Sequence, residues 1–191
     1  MSTEHQSETL LEVDAISLSF GGVHALVDVS FDVQKGEIFS IIGPNGAGKS
    51  SMLNVINGVY QPTQGTITYK GEVRQSMRPH EAAARGIART FQNVALFKGM
   101  NTLDNLMTGR NLKMKSNLLM QGFYWGPAQN EEIRHRQAVA KIIDFLEIQS
   151  IRKTPVGRLP YGLQKRVELG RALAAEPTLL LLRSEEHTSE L

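Results

Sequence analysis

Residues 43–50 read GPNGAGKS, a spacing of glycines, one lysine and one serine that suits the holding of phosphate oxygens. Glycines let backbone N–H groups turn toward an anion with no Cβ in the way. A helix starting at the end of the run adds partial positive charge to the same spot. Lys49 is expected to reach the β- and γ-phosphates of a nucleotide, and the Ser50 hydroxyl to ligate Mg²⁺. The contacting run is taken as Gly43, Pro44, Asn45, Gly46, Ala47, Gly48, Lys49, Ser50 and Ser51. The plainer alternative is a glycine-rich turn.

Two elements must position that loop, and the flanks supply candidates for both. Residues 37–42 (EIFSII) are apolar and partly β-branched, which predicts a buried strand. Residues 50–57 carry Met52, Leu53, Val55 and Ile56, which predicts a helix, and Gly58 is placed to stop it. Strand, glycine-rich loop, helix is the context that the motif needs.

The rest of the chain offers a frame around this core. Leu11, Val13 and a weak Ala15, followed by Ile16, Leu18 and Phe20, predict an edge strand over residues 10–19. Gly21-Gly22 makes a turn, and residues 25–33 alternate again, with Leu26 out of step. Residues 61–65 form a turn before a short strand at 66–69. Pro79 suits the first position of a short helix, and residues 86–91 read as a compact strand. Leu103, Leu106 and Met107 share a helical face from Asn101 onward. Residues 114–130 read as an irregular connection, and 131–149 as an amphipathic helix with Val139, Ile142, Ile143 and Leu146 inward. Another helix is expected at 164–175, then a buried parallel strand at Leu179, Leu180, Leu181 and Leu182.

Bulk properties bound the partners. The 191 residues, 41% hydrophobic and 21% charged, suit one globular domain. A net charge of +2 gives no polyanion signal, so no nucleic-acid partner is expected. There is no cysteine, and the five histidines lack metal-ligand spacing. No apolar run approaches the ~20 residues of a membrane span, and the polar N-terminus is no signal peptide. A cytoplasmic location follows as the expectation, with any membrane association made through a partner.

Further motifs narrow the reading. RTFQNVALFKGMN follows the loop at residues 89–101, and LPYGLQKRVELGRALAAEPTLLLL occupies residues 159–182. In this order and spacing they resemble the glutamine-loop region, the signature segment and the Walker B strand of ATP-binding subunits of ABC transporters. The resemblance covers residues 10–182, and the RTFQ and LPYG spellings with the helical insert look most like branched-chain amino-acid importers. It implies an α/β P-loop NTPase fold with an antiparallel β portion and a helical subdomain. The implied division is residues 1–100 for the P-loop core, 101–160 for the helical subdomain, and 161–182 for the signature helix and Walker B strand.

The resemblance also assigns residues. Phe20 matches the aromatic that stacks on adenine; the alternative is an ordinary core phenylalanine. Gln92 matches the glutamine that approaches Mg²⁺ and the attacking water; the alternative is a solvated amide at a strand end. Tyr161 and Gly162 lie in the signature loop, which binds the γ-phosphate of ATP held by a second ATP-binding subunit; the alternative is a proline-capped helix start. Pro160 replaces the usual serine there, and Leu163 a polar residue. The implied cofactors are ATP and Mg²⁺. The implied partners are that second subunit, in a homo- or heterodimer, and transmembrane permease subunits holding the pair at the inner face of the membrane. A non-transport ABC ATPase is the rival, though no heptads or second loop of the GPNGAGKS type occur. A nucleotide-binding fragment without activity is the third reading.

The pattern breaks at residue 183. The family continues with Asp-Glu-Pro, whereas Arg183 and Ser184 stand here, so no catalytic residue is assigned. Residues 183–191 (RSEEHTSEL) back-translate to AGATCGGAAGAGCACACGTCTGAACTC, which resembles a sequencing-library adapter. The expectation is that this segment is adapter read-through and that the cassette is C-terminally truncated; the alternative is a genuine divergent tail.

Overall fold

The computed structural model describes residues 8–74, 77–90, 95–113 and 127–183. The chain forms two compact units, Met1–Ala83 and Ala84–Leu191.

The first unit is built on an antiparallel sheet. Strands β1 (Thr9–Phe20) and β2 (Val23–Gln34) form a hairpin, joined by β3 (Gln64–Tyr69) and β4 (Glu72–Arg74) in the order β2-β1-β3-β4. β1 is therefore an interior strand, a correction to the edge position that its pattern suggested. Its neighbours come from residues far along the chain, and alternation alone does not report them.

The broken alternation in β1 and β2 has a local cause. Ala15 and Asp28 both adopt positive φ, near 50°, where the hairpin register shifts. Each acts as a bulge, so the buried face passes from Leu11 and Val13 to Ile16 and Leu18. Leu26, on the near side of Asp28, is buried opposite Leu18. Two serines on the facing strand hold the bulges. Ala15 N–H donates to Ser30 Oγ at 2.8 Å, and Asp28 N–H donates to Ser17 Oγ at 3.0 Å. Gly65 (φ 89°) lies on the Ala15 bulge, where a Cβ would collide with the carbonyl oxygens of Asp14 and Ala15.

Helix α1 (Lys49–Ile56) follows the glycine-rich loop and buries Met52, Val55 and Ile56. Gly58 at φ 76° ends it, as its sequence predicts. The stretch before the loop departs from expectation. Residues 37–42 form no strand, and Ile38 and Ile42 are 95% and 92% exposed. A buried parallel strand needs ladder partners on both edges, and among the described residues none pairs with this segment.

After α2 (Pro79–Ala84), the second unit pairs β5 (Ile87–Arg89) in parallel with β6 (Leu179–Leu181). Leu181 is buried but Leu182 is exposed, so the apolar run is covered only in part. Helices α3 (Thr102–Thr108), α4 (Pro127–Phe145) and α5 (Tyr161–Ala174) enclose a core of Leu106, Val139, Ile143, Ile148, Val156 and Val167. Helix α4 starts at Pro127, inside the predicted irregular connection, because proline suits a first helical turn. The remainder of that connection, residues 114–126, lies outside the described residues. Helix α5 starts three residues earlier than its pattern indicates, with Pro160 as N-cap. Among the described residues no helix is long and apolar enough to cross a membrane.

Candidate functional site

The glycine-rich run folds as a tight loop that opens onto the start of α1. Gly46 and Gly48 have φ near 85° and 81°, backbone open to glycine and strained for other residues. Ala47 N–H closes a tight turn on Pro44 O at 3.2 Å. Gly48 is the N-cap of α1 and brings no capping side chain, and the first ladder bond runs from Met52 N–H to Gly48 O at 2.9 Å. The amides of Lys49, Ser50 and Ser51 are thus the first-turn donors, which find no carbonyl within their own helix. Lys49 Nζ folds across the loop, donating to Gly43 O and to Pro44 O at 3.0 Å. The ammonium is held over the concave backbone, and an ordered cation with convergent amides suits a polyphosphate.

The β1–β2 hairpin supports this loop. A Cβ at Gly48 would strike the Ala25 carbonyl oxygen and lie 2.9 Å from Leu26 Cδ2, so the loop seats directly on β2. Phe20 pairs with Val23 at the hairpin tip and is 46% exposed. Its ring meets that of Tyr60, with centroids 5.0 Å apart and planes at 74°. Sequence reasoning missed Tyr60; its only signal was a lone aromatic just past the glycine that ends α1.

The signature residues sit in the second unit. Pro160 O accepts from Leu163 and Gln164 N–H at 3.0 and 3.1 Å, and Gln164 Nε2 donates to Leu159 O at 2.7 Å. Tyr161 is exposed, with Lys165 Nζ 5.6 Å from its ring centroid, and a Cβ at Gly162 would meet nothing within 4 Å. The opening turn of α5 is therefore accessible. Gln92 lies outside the described residues. The loop that leads away from it is held twice. Arg171 of α5 donates to Ala95 O at 2.5 Å. Buried Asn105 donates to the carbonyls of Phe97, Met100 and Asn101, and accepts from Phe97 N–H at 2.9 Å. Burial lowers the Arg171 pKa, opposed by neighbouring Glu168.

A second cluster was also not foreseen, because its members are remote in sequence. Arg110, only 6% exposed, donates to His135 Nδ1 at 3.0 Å, to Ala174 O at 3.0 Å and to Glu176 Oε1 at 2.5 Å. That hydrogen bond from Arg110 is the main cause of a lowered Glu176 pKa, with Lys113 adding to it.

Beyond β6 comes Arg183, whose N–H donates to Thr90 Oγ1 at 3.4 Å. Among the described residues no group of three or more His, Cys, Asp or Glu side chains could hold a metal ion.

Comparison with known proteins agrees with this geometry. A family model described as ABC transporter matches residues 26–183. The chain is 36% identical to the high-affinity branched-chain amino acid transport ATP-binding protein BraF of Pseudomonas aeruginosa, over 92% of this chain and 69% of that protein. It is 33% identical to LivG of Escherichia coli, named for the same transport, with the same coverage. Ribose import ATP-binding protein RbsA 2 of Burkholderia cenocepacia is 34% identical over 96% of this chain and 34% of that protein. Among solved structures, the ADP conformation of MJ1267, an ATP-binding cassette of an ABC transporter, superposes with a TM-score of 0.74 at 34% identity, over 90% of this chain and 67% of that one. With a family model over residues 26–183 and relatives at 33–36% identity, the chain belongs to the ABC transporter family, as an ATP-binding subunit.

Proposed function

We propose that this chain is the nucleotide-binding part of the motor of a branched-chain amino-acid importer. The observation that carries the nucleotide reading is the cradle itself: two left-handed glycines, an uncapped helix start and Lys49 folded over them. A triphosphate would suit it: Gly46 leaves the backbone approach open, a Cβ there meeting nothing within 4 Å, and Gly48 seats the loop on β2. Lys49 would neutralise the β- and γ-oxygens, the amides at residues 46–51 would bind the chain of phosphates, and Phe20 would stack on adenine. Tyr161 and Gly162 would meet the γ-phosphate of ATP on a second subunit, and permease subunits would receive the resulting motion.

The Mg²⁺ part fits less well. Ser50 offers a hydroxyl and Gln92 an amide oxygen, but Arg183 stands where the family resemblance places a carboxylate. A guanidinium repels a divalent cation and cannot serve as a base. That residue favours a second reading for the chain as written: it binds nucleotide and does not hydrolyse it. The amino-acid assignment rests on BraF and LivG, while RbsA 2, named for ribose import, shows similar identity. Neighbouring permease genes of amino-acid type would support the assignment, and sugar-type permeases would overturn it.

The nucleotide reading is tested by titrating MgATP into the wild-type chain and Lys49→Ala in a calorimeter. The expected result is loss of measurable affinity in the variant, and equal affinity in both would overturn the reading.

A further inference from the structure

The Phe20–Tyr60 pair joins the hairpin on which the glycine-rich loop seats to the turn that follows α1. Tyr60 is anchored to α1: after Gly58 the chain reverses, and the N–H groups of Val59 and Tyr60 both donate to Asn54 O, at 2.8 and 3.2 Å. Phe20 ends β1 and pairs with Val23, two residues before the Ala25 carbonyl on which Gly48 seats. The hairpin therefore touches the loop–helix segment at both ends of α1, through Gly48 at the start and Tyr60 beyond the finish. At 74° the rings meet edge to face. Whichever ring supplies the edge, at least one face of Phe20 stays clear of Tyr60, and the residue is exposed.

We propose that Tyr60 is a positioning residue for the base: it fixes the attitude of Phe20 relative to the phosphate cradle, so that purine affinity depends on the Tyr60 ring and polyphosphate affinity does not. This rests on the reading of Phe20 as the base platform. A phenylalanine ring left to rotate loses that freedom on stacking, which weakens binding, whereas a ring held edge-on before the ligand arrives does not. The Tyr60 hydroxyl plays no part in this account, so the ring alone should suffice.

The test is calorimetric titration of the full chain with MgATP and, separately, with inorganic tripolyphosphate, for wild type, Tyr60→Phe, Tyr60→Leu, Phe20→Leu and Lys49→Ala. Tyr60→Leu is expected to weaken MgATP about threefold to tenfold, the range of one aromatic pair, and to leave tripolyphosphate unchanged. Tyr60→Phe should match wild type for both ligands. Equal weakening of both ligands by Tyr60→Leu would show a structural role and overturn the proposal, as would unchanged MgATP affinity. Should Tyr60→Leu lose its cooperative melt, Tyr60→Met, which fills similar volume without a ring, stands in with the same expectations. Failures separate cleanly. If Lys49→Ala leaves tripolyphosphate binding intact, the cradle reading falls. If Phe20→Leu leaves MgATP unchanged, the platform falls. If Phe20→Leu weakens MgATP and Tyr60→Leu does not, only the role of Tyr60 falls.

Discussion

The unit Met1–Ala83 and the unit Ala84–Leu191 distribute chemistry and packing in opposite ways. The first holds the glycine-rich loop proposed to bind phosphate, yet residues 37–42, which lead into it, lie open with Ile38 and Ile42 almost fully exposed. The second encloses Leu106, Val139, Ile143 and Val167 within three helices and clamps the loop at residues 97–101 through Asn105. Yet where its strand β6 ends comes Arg183, at the position where the family resemblance implies a carboxylate. Phosphate binding needs local backbone geometry and one cation, all of which a contiguous run supplies. Hydrolysis needs a base and a metal ligand brought from elsewhere in the fold. A chain can therefore keep the first and lack the second.

The contrast in packing gives the largest expected effect. Leu106→Ala, at a fully buried site, should cost about 2–5 kcal/mol in denaturant unfolding of the second unit. A loss below 1 kcal/mol would mean that the helical core is not the packed region it is taken to be.

The contrast in chemistry comes next. Gly48→Ala forces a Cβ onto the Ala25 carbonyl at a φ of 81°. Strain of about 1–3 kcal/mol there should weaken MgATP roughly tenfold or more, read by calorimetry. Unchanged affinity would mean that the cradle geometry does not govern binding.

A smaller effect concerns the clasp around Arg110. The Glu176 carboxyl is held below its ordinary value of 4.5, first by the hydrogen bond from Arg110. A depressed folded-state pKa contributes stability that is present above the unfolded value and lost as pH falls through the folded one. Melting curves of wild type and Glu176→Gln, taken from about pH 6 down to about pH 3, should therefore converge at the acid end. A constant gap across that range would contradict the linkage.

The smallest effect is expected at the open run. Ile38→Thr keeps a β-branched residue at an exposed site and should change the melt by less than about 0.5 kcal/mol. If its cost rivals that of Leu106→Ala, residues 37–42 are covered in solution.

Much of this was legible in the sequence because it is local. GPNGAGKS specifies its own backbone, and Gly58 stops α1 where the glycine stands. Even the misfit between Val13 and Ile16 was visible in the alternation, although its cause, a bulge at Ala15 held by Ser30, was not. What failed was non-local. The interior place of β1 depends on β3, some fifty residues away, and the expected strand at residues 37–42 depends on partners that no pattern within it can announce. The Arg110–His135–Glu176 clasp and the Tyr60 ring against Phe20 likewise join residues that no spacing rule connects.

The separation of binding from hydrolysis is tested most directly by following MgATP binding and phosphate release in one sample of the chain, with Lys49→Ala as control. Binding that Lys49→Ala removes is expected, with phosphate release no faster than in protein-free buffer. Steady turnover by the wild-type chain that Lys49→Ala abolishes would contradict it, because a base would then act although no carboxylate stands at residues 183 and 184.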